Sequence, residues 1–331
     1  MIVHEYGHFL GARLFGMRVD RFSIGIGPKL LEHKPKDGET TYQVALIPFM
    51  AYVQIAGMNP MEEIKPEDKG SYANASVLGR LVAIAGGPAA NYLAAMAIFF
   101  GVFMVSGRPN ADATRVVIEP GGATSPALEA GVKSGDRVIA VNGEKVVDWP
   151  DFASRIGKLA DQKVDLEVER GGSSVHLYPT PKADASGRGK IMVAPGRVPV
   201  DSVGEAASMA FKMPALVVWA NAQGLAQMFK SRSTEGVSSV FGLVHDMKEQ
   251  FAWSASRGIE LVALVSASLA FFNLLPFPGL DGARLVFLTY EVITRKRPNE
   301  RFEAALHMGG VLTLLSFMAF VAARDIWKWV R

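Results

Sequence analysis

Three long stretches without a charged residue constrain this chain more than anything else in it. Leu81 to Gly107 and Leu261 to Leu280 carry no Asp, Glu, Lys or Arg, and Ala304 to Ala323 carries only His307. Each is close to the ~20 residues a helix needs to cross the hydrocarbon of a bilayer. A chain of 331 residues, 49% of them apolar, would otherwise suggest about two soluble domains. The runs point instead to a multi-pass α-helical membrane protein. The apolar N-terminal stretch reads as a further span cut short, since only three residues precede His4. About four transmembrane helices are therefore expected, the first truncated. No basic start or small-residue cleavage site marks a signal peptide there, and the chain reads as beginning at an internal methionine.

That first stretch, Met1-Ile-Val-His4-Glu5-Tyr-Gly-His8, also carries chemistry. His4 and His8 are four apart, so on a helix they share a face about one turn, ~6 Å, apart. Two neutral imidazoles at that spacing can reach one zinc ion, with Glu5 beside them as general base for a water. The pattern also arises by chance on ordinary helices. Its flanks, Ile2, Val3, Phe9, Leu10, Leu14 and Phe15, are apolar, and ionisable groups in such surroundings are functional suspects. The chain has no cysteine, so there is no disulfide framework and no thiolate site, and any metal must take His and carboxylate ligands. A net charge of +3 is too small to imply a nucleic-acid partner, and the basic residues cluster beside the apolar runs.

From Met17 to about Tyr72 the chain is polar. Thr40–Ile47 and Tyr52–Ala56 are strand-like, separated by Pro48-Phe49-Met50-Ala51, and Phe22–Pro28 reads as a loop or hairpin dipping into the membrane face. A small surface β-meander is the competing reading. Lys29, Lys34, Lys36, Lys65, Lys69 and Arg80 assign this side to the cytoplasm by the positive-inside rule. Within the second run, Gly86-Gly87-Pro88-Ala89-Ala90-Asn91 permits close helix contact, and Asn91 reads as interhelical glue more readily than as a catalytic group.

Residues 112–183 are charged and strand-rich. Strands are expected at Arg115–Ile118, Arg137–Val141, Val164–Val168 and Val175–Tyr178, and helices at Ser125–Ala130 and Asp151–Leu159. Gly131-Val-Lys-Ser-Gly135-Asp136-Arg-Val-Ile-Ala-Val-Asn142-Gly143 resembles the signature of PDZ domains, which bind extended peptide as an added strand. A connector follows at Pro179–Pro199. Val203–Phe229 reads as a helix lying in the interface, with a further crossing as the alternative, and Ser231–Asp246 as a loop.

The third span, Ile259–Leu280, ends in Asn273-Leu-Leu-Pro276-Phe-Pro278-Gly279-Leu280-Asp281-Gly282. Its prolines and glycines break a helix at membrane depth and free carbonyls that need partners. Asp281 is the one carboxylate in this apolar neighbourhood. It reads either as the third metal ligand or as the cap of a helix starting at Gly282. Arg295, Lys296, Arg297 and Arg301 make a second basic, cytoplasmic loop, and the last span closes at Arg324. His33, His176, His245 and His307 read as structural or solvent-facing. The domains expected are 1–110, 111–185, 186–254 and 255–331.

Taken together, these residues resemble the site-2 protease family of intramembrane zinc metalloproteases, in particular its bacterial regulator-of-sigma-E branch. The resemblance rests on His4-Glu5-Tyr-Gly-His8, Asn273-x-x-Pro276-x-Pro278-x-Leu280-Asp281-Gly282, Gly87-Pro88-Ala89-Ala90-Asn91 and one inserted PDZ-like domain. It implies that His4, His8 and Asp281 bind Zn2+, that Glu5 activates water, and that Asn273, Pro276 and Pro278 help hold an unwound substrate. It implies too that a membrane-associated β-hairpin at 40–56 clamps that substrate. Single-span membrane proteins would be cleaved, such as a pre-trimmed anti-sigma factor or remnant signal peptides. The PDZ domain would meet peptide C-termini on the periplasmic side of a bacterial inner membrane. The chain departs from the family in its truncated first helix, in one PDZ domain where the enterobacterial relative has two, and in Ala283-Arg284 where many members have Gly-His. A non-catalytic PDZ scaffold with a structural metal is the alternative of a different class. A transporter would need inverted repeats, which the sequence lacks.

Overall fold

A computed structural model describes residues 1–36, 38–59, 65–110, 116–121, 125–183, 187–231 and 240–330. The contacts divide into two compact units, one of residues 1–97, 212–243 and 262–331, the other of residues 98–211 and 244–261.

The first unit opens with α1 (Ile2–Leu14), followed by β1 (Val19–His33) and β2 (Thr41–Ile55). Residues 21–24 of β1 pair twice, once with 51–54 and once with 41–44 of β2, while 29–33 pairs with 42–45. The two long strands therefore double back, and their halves make a four-ribbon sheet. Residues 22–28, expected as a loop or hairpin, and 48–51, expected to separate two strands, both run in strand, nearer to the β-meander that was the competing reading. Gly25 explains how β1 passes through: at φ +95° it bends where a Cβ would lie 2.8 Å from the Ala45 carbonyl oxygen. The buried Gln43 amide donates to Ser23 Oγ and Tyr52 Oη and ties three of the ribbons together. Ala12, Met17, Val19, Ile55 and Ala83 form the core under this sheet.

Three helices among the described residues are long and apolar enough to cross a bilayer: α2 (Val77–Ser106), α7 (Ala255–Asn273) and, over Arg301–Arg324, α9 (Glu300–Val330). The 13 residues of α1 fall short of a span. Helix α7 stops at Asn273, seven residues before the expected end, because Pro276 and Pro278 cannot donate to a helical ladder. After an irregular stretch, α8 (Asp281–Thr294) begins at Asp281 itself. Leu280 occupies the N-cap position and no side chain caps the helix, so the capping role open to Asp281 is not the one it plays.

The second unit holds an antiparallel sheet of β4 (Val116–Pro120), β5 (Asp136–Val141), β6 (Glu144–Lys145), β7 (Leu166–Arg170), β8 (Ser173–Leu177) and β11 (Val193–Pro195). Arg115 lies outside the described residues. The strands β3 (Arg108–Pro109) and β12 (Arg197–Val198) pair, as do β9 (Lys182–Ala183) and β10 (Gly189–Lys190), so the expected connector at 179–199 contributes strands, one of them on the sheet's edge. Asn142 and Gly143 both have positive φ between β5 and β6, the two-residue hairpin that an Asn-Gly pair favours. The helices are α3 (Pro126–Glu129), capped by Ser125, and α4 (Trp149–Gly157). The latter starts two residues early because Asp148 caps it, accepting from Asp151 N–H with Pro150 in the first turn. Phe152, Ile156, Leu166 and Val168 centre the core.

Helix α5 (Val203–Ser231) covers the expected interfacial segment. Of the expected loop 231–246, residues 232–239 lie outside the described residues, and the rest is helical: α6 (Val240–Trp253). The Ser/Gly cluster reads as a loop, but Val240, Leu243, Met247 and Phe251 recur at helical spacing.

Candidate metal centre

Glycines set the distance between the two helices that build the centre. A Cβ on Gly7 of α1 would lie 2.1 Å from the Gly86 carbonyl oxygen of α2, and one on Gly11 would lie 2.7 Å from that of Val82. With no side chain in the seam, α1 lies directly against α2. His4 and His8 are both buried, with their rings edge to face at 4.7 Å. Gly87 completes the cradle, for a Cβ there would come within 2.3 Å of His8 Nε2 and 2.8 Å of His4 Cε1.

Each ring is held by its outer nitrogen. His8 Nδ1–H donates to the Ala83 carbonyl at 2.8 Å, and His4 Nδ1 meets the Asn91 amide at 3.2 Å. The atom at that distance is the Asn91 amide nitrogen; turned end for end, the amide presents its oxygen to accept from Nδ1–H, and both Nε2 atoms of the neutral rings are then lone pairs. They face each other at 3.1 Å. Asp281, on the first turn of α8, brings Oδ2 to 3.0 Å from His4 Nε2 and 3.3 Å from His8 Nε2. These are the atoms of the one His/Asp/Glu group found among the described residues that could hold a metal ion.

The residues fit zinc. Oδ2 is buried and makes no hydrogen bond despite its two close neighbours, and three inward-facing lone-pair atoms repel unless a cation lies between them. Donors about 2.0–2.1 Å from a tetrahedral zinc lie ~3.3 Å apart, which matches the edges of this triangle. Two imidazoles and one carboxylate also leave a fourth position open, the pattern of catalytic sites. Glu5 is half-buried beside the cluster and its Oε2 accepts from Val53 N–H of β2 at 3.1 Å, so the hairpin orients it.

The irregular stretch that delivers Asp281 is pinned on both sides. A Cβ on Gly282 would lie 2.1 Å from the Leu275 carbonyl oxygen, and one on Gly310 of α9 would lie 1.9 Å from that of Pro278. Gly279 has φ +96°, and its N–H donates to His307 Nδ1 at 3.1 Å. His307 is thus structural, as expected, while exposed His33 ends β1 and His176 pairs with Asp165. The His245 side chain lies outside the described residues. Asn273 ends α7, and Pro276 and Pro278 lie in the irregular stretch between it and α8.

Asn91 bonds between helices, as the glue reading expects, and the partner of its amide is His4 itself. Its signal was present: Asn91 lies one turn beyond Gly87, in a run without charge. The Val53 N–H, Ala83 carbonyl and Gly310 contacts leave no such trace, being backbone contacts made across the fold.

The family described as peptidase family M50 matches residues 1–317. Among similar proteins is one from Fusobacterium nucleatum, 30% identical over 336 residues, covering 99% of this chain and 95% of the relative. One from Synechocystis is 33% identical over 334 residues, covering 98% and 90%. One from Clostridium perfringens is 28% identical over 328 residues, covering 98% and 95%. Each is named, provisionally, a zinc metalloprotease.

Proposed function

From the premise that the chain belongs to peptidase family M50, and is thus a zinc metalloprotease of the membrane, we propose which residues do the work and on what. His4, His8 and Asp281 hold the zinc, Glu5 is the general base, and the substrate is the transmembrane segment of a single-span protein. The observation that carries this reading is the triangle of Nε2, Nε2 and Oδ2 atoms at 3.0–3.3 Å.

His4, His8 and Asp281 would hold the ion, whose contribution there would be to polarise the scissile carbonyl and acidify a water. Glu5, with Oε2 fixed by Val53 N–H, takes the water's proton and returns it to the leaving nitrogen. A peptide bond inside a transmembrane helix is shielded by its own hydrogen bonds, so cleavage needs local unwinding. Pairing the freed backbone with a ribbon of the hairpin would offset the lost bonds. Exposed Leu30, Leu31, Leu46, Ile47 and Met50 suit the hairpin to a membrane surface. Asn273, Pro276 and Pro278 hold the opened segment beside Asp281.

The finer assignments follow. Residues 111–185 are a PDZ domain, a reading supported by the Asn142-Gly143 hairpin and the helix–strand order, and it meets the C-termini of pre-trimmed substrates. The Lys and Arg beside the apolar runs favour an orientation in a bacterial inner membrane with 17–80 and 291–303 inside and the PDZ domain on the periplasmic side. Substrates in regulated intramembrane proteolysis, an anti-sigma factor or remnant signal peptides, suit such an arrangement. Glu5→Gln should keep zinc by elemental analysis while cleavage of a reporter span falls by at least ~100-fold. Unchanged cleavage would remove Glu5 as the base.

A further inference from the structure

Beside the proposed centre, in the same unit, lies a second polar feature that the protease reading does not use. A cleft of about 120 Å³ opens between α2, α8, the start of α9 and the turn after the hairpin. Its charged lining is Arg80, Arg284 and Arg297 against Glu291 and Glu303, which leaves one positive charge over. Arg80 and Glu291 form a bidentate, buried pair at 2.7 and 2.9 Å. Arg297 reaches Glu291 at 3.7 Å and the Ala73 carbonyl at 2.8 Å. Arg284, half-buried one turn beyond Asp281, has no hydrogen-bond or ion-pair partner among the described residues.

Two further donors there lack acceptors. Arg80 is 7% exposed and its buried Nε makes no hydrogen bond. His307 accepts Gly279 N–H at Nδ1, so its neutral ring carries the hydrogen on Nε2, which is buried without a partner. A buried donor left unsatisfied destabilises the fold unless something accepts from it. Two such donors just behind the cleft and the unpaired Arg284 guanidinium on it, with a surplus positive charge, describe a site for a singly charged anion with several acceptor oxygens.

We propose that this cleft binds the phosphodiester head of an anionic membrane lipid. The place favours a lipid over a soluble anion. Glu303, Ala304 and His307 stand on the first two turns of the span Arg301–Arg324, at the level where headgroups lie. Tyr290, Ile293 and Phe302 are exposed on the same two helices, giving acyl chains an apolar surface. Basic pockets between membrane helices are known hosts for such heads. Through His307 and Gly279 a bound lipid would brace the stretch that presents Asp281, but the binding itself does not rest on the zinc assignment.

The test uses the full chain in neutral detergent, titrated with short-chain phosphatidylglycerol, short-chain phosphatidylcholine or inorganic phosphate, with affinity read by thermophoresis and stoichiometry by native mass spectrometry. Phosphatidylglycerol should bind one to one and at least ~5-fold tighter than phosphatidylcholine. Arg284→Gln should erase that preference and Arg284→Lys should keep part of it. If Arg284→Gln fails to fold, Arg297→Gln carries the same comparison. Equal affinity for the two lipids, or an unaltered preference in the folded Gln variant, overturns the proposal. Inorganic phosphate displacing phosphatidylglycerol at equal concentration does so too, by making the cleft a site for a free anion.

Discussion

Asn91 shows what a single residue can hide in a sequence. By itself it is a polar group in an apolar helix, and hydrogen-bonding glue is the ordinary reason for one. In the fold its amide meets His4 Nδ1 at 3.2 Å, so it orients a proposed metal ligand. Outer partners of this kind are worth 10–100-fold in metal affinity. Asn91→Leu, close in size and unable to hydrogen-bond, should therefore weaken zinc by about that factor in a chelator competition, while the chain still inserts and folds. An unchanged zinc affinity would return Asn91 to the role of glue. The two histidines were legible because their relation is local and set by helical pitch, whereas Gly87 reads only as a small residue until two imidazoles lie against it.

Among the elements, the stretch between α7 and α8 was legible in kind and not in extent. Its prolines announce a break, and α7 ends at Asn273 as a break requires. Nothing in them announces that Gly310, on another helix, is where the broken backbone rests. A Cβ there would overlap the Pro278 carbonyl, so Gly310→Ala should displace the stretch and with it Asp281. The expected outcome is a zinc content reduced well below one per chain, read by elemental analysis, with helical content by circular dichroism intact. The hairpin was partly legible for a similar reason. Its two strand-like pieces were visible from their composition, but their double pairing with residues 21–24 depends on a bend at Gly25 that alternation of side chains does not encode.

Over the whole molecule, runs without charge disclosed the three described helices long and apolar enough to cross a bilayer, because excluding charge from hydrocarbon is a constraint strong enough to read directly. The contacts put a boundary after residue 97 and return 244–261 to the second unit, whereas the sequence shows a change of composition after residue 110 and no sign of that return. That unit has its own sensitivity to acid. Asp136 is 1% exposed, and burial alone would raise its pKa; the Arg170 guanidinium, bidentate at 2.6–2.7 Å, and the Lys133 N–H at 2.8 Å prevail and lower it. A carboxylate whose folded pKa lies below its unfolded value of ~3.9 stabilises the fold above that value and ceases to as pH falls through the folded pKa. Hydrogen-exchange protection of β5 and β7 should accordingly be steady from neutral pH to about pH 5 and decline below about pH 4. Asp136→Asn should lower the neutral-pH protection and flatten that decline.

The seam between α1 and α2 also has a meaning in time. A ribosome releases His4 and His8 before Ala83, the acceptor for His8 on the next helix, and Asp281 emerges only after residues 98–261 of the second unit have been synthesised. On the proposed assignment, a nascent chain holding the two histidines alone has an incomplete grip on the ion, and the cleaving chemistry is withheld until Asp281 has been made. With that assignment, the linear order of the gene would act as a safety catch for the membrane into which the polypeptide is being threaded.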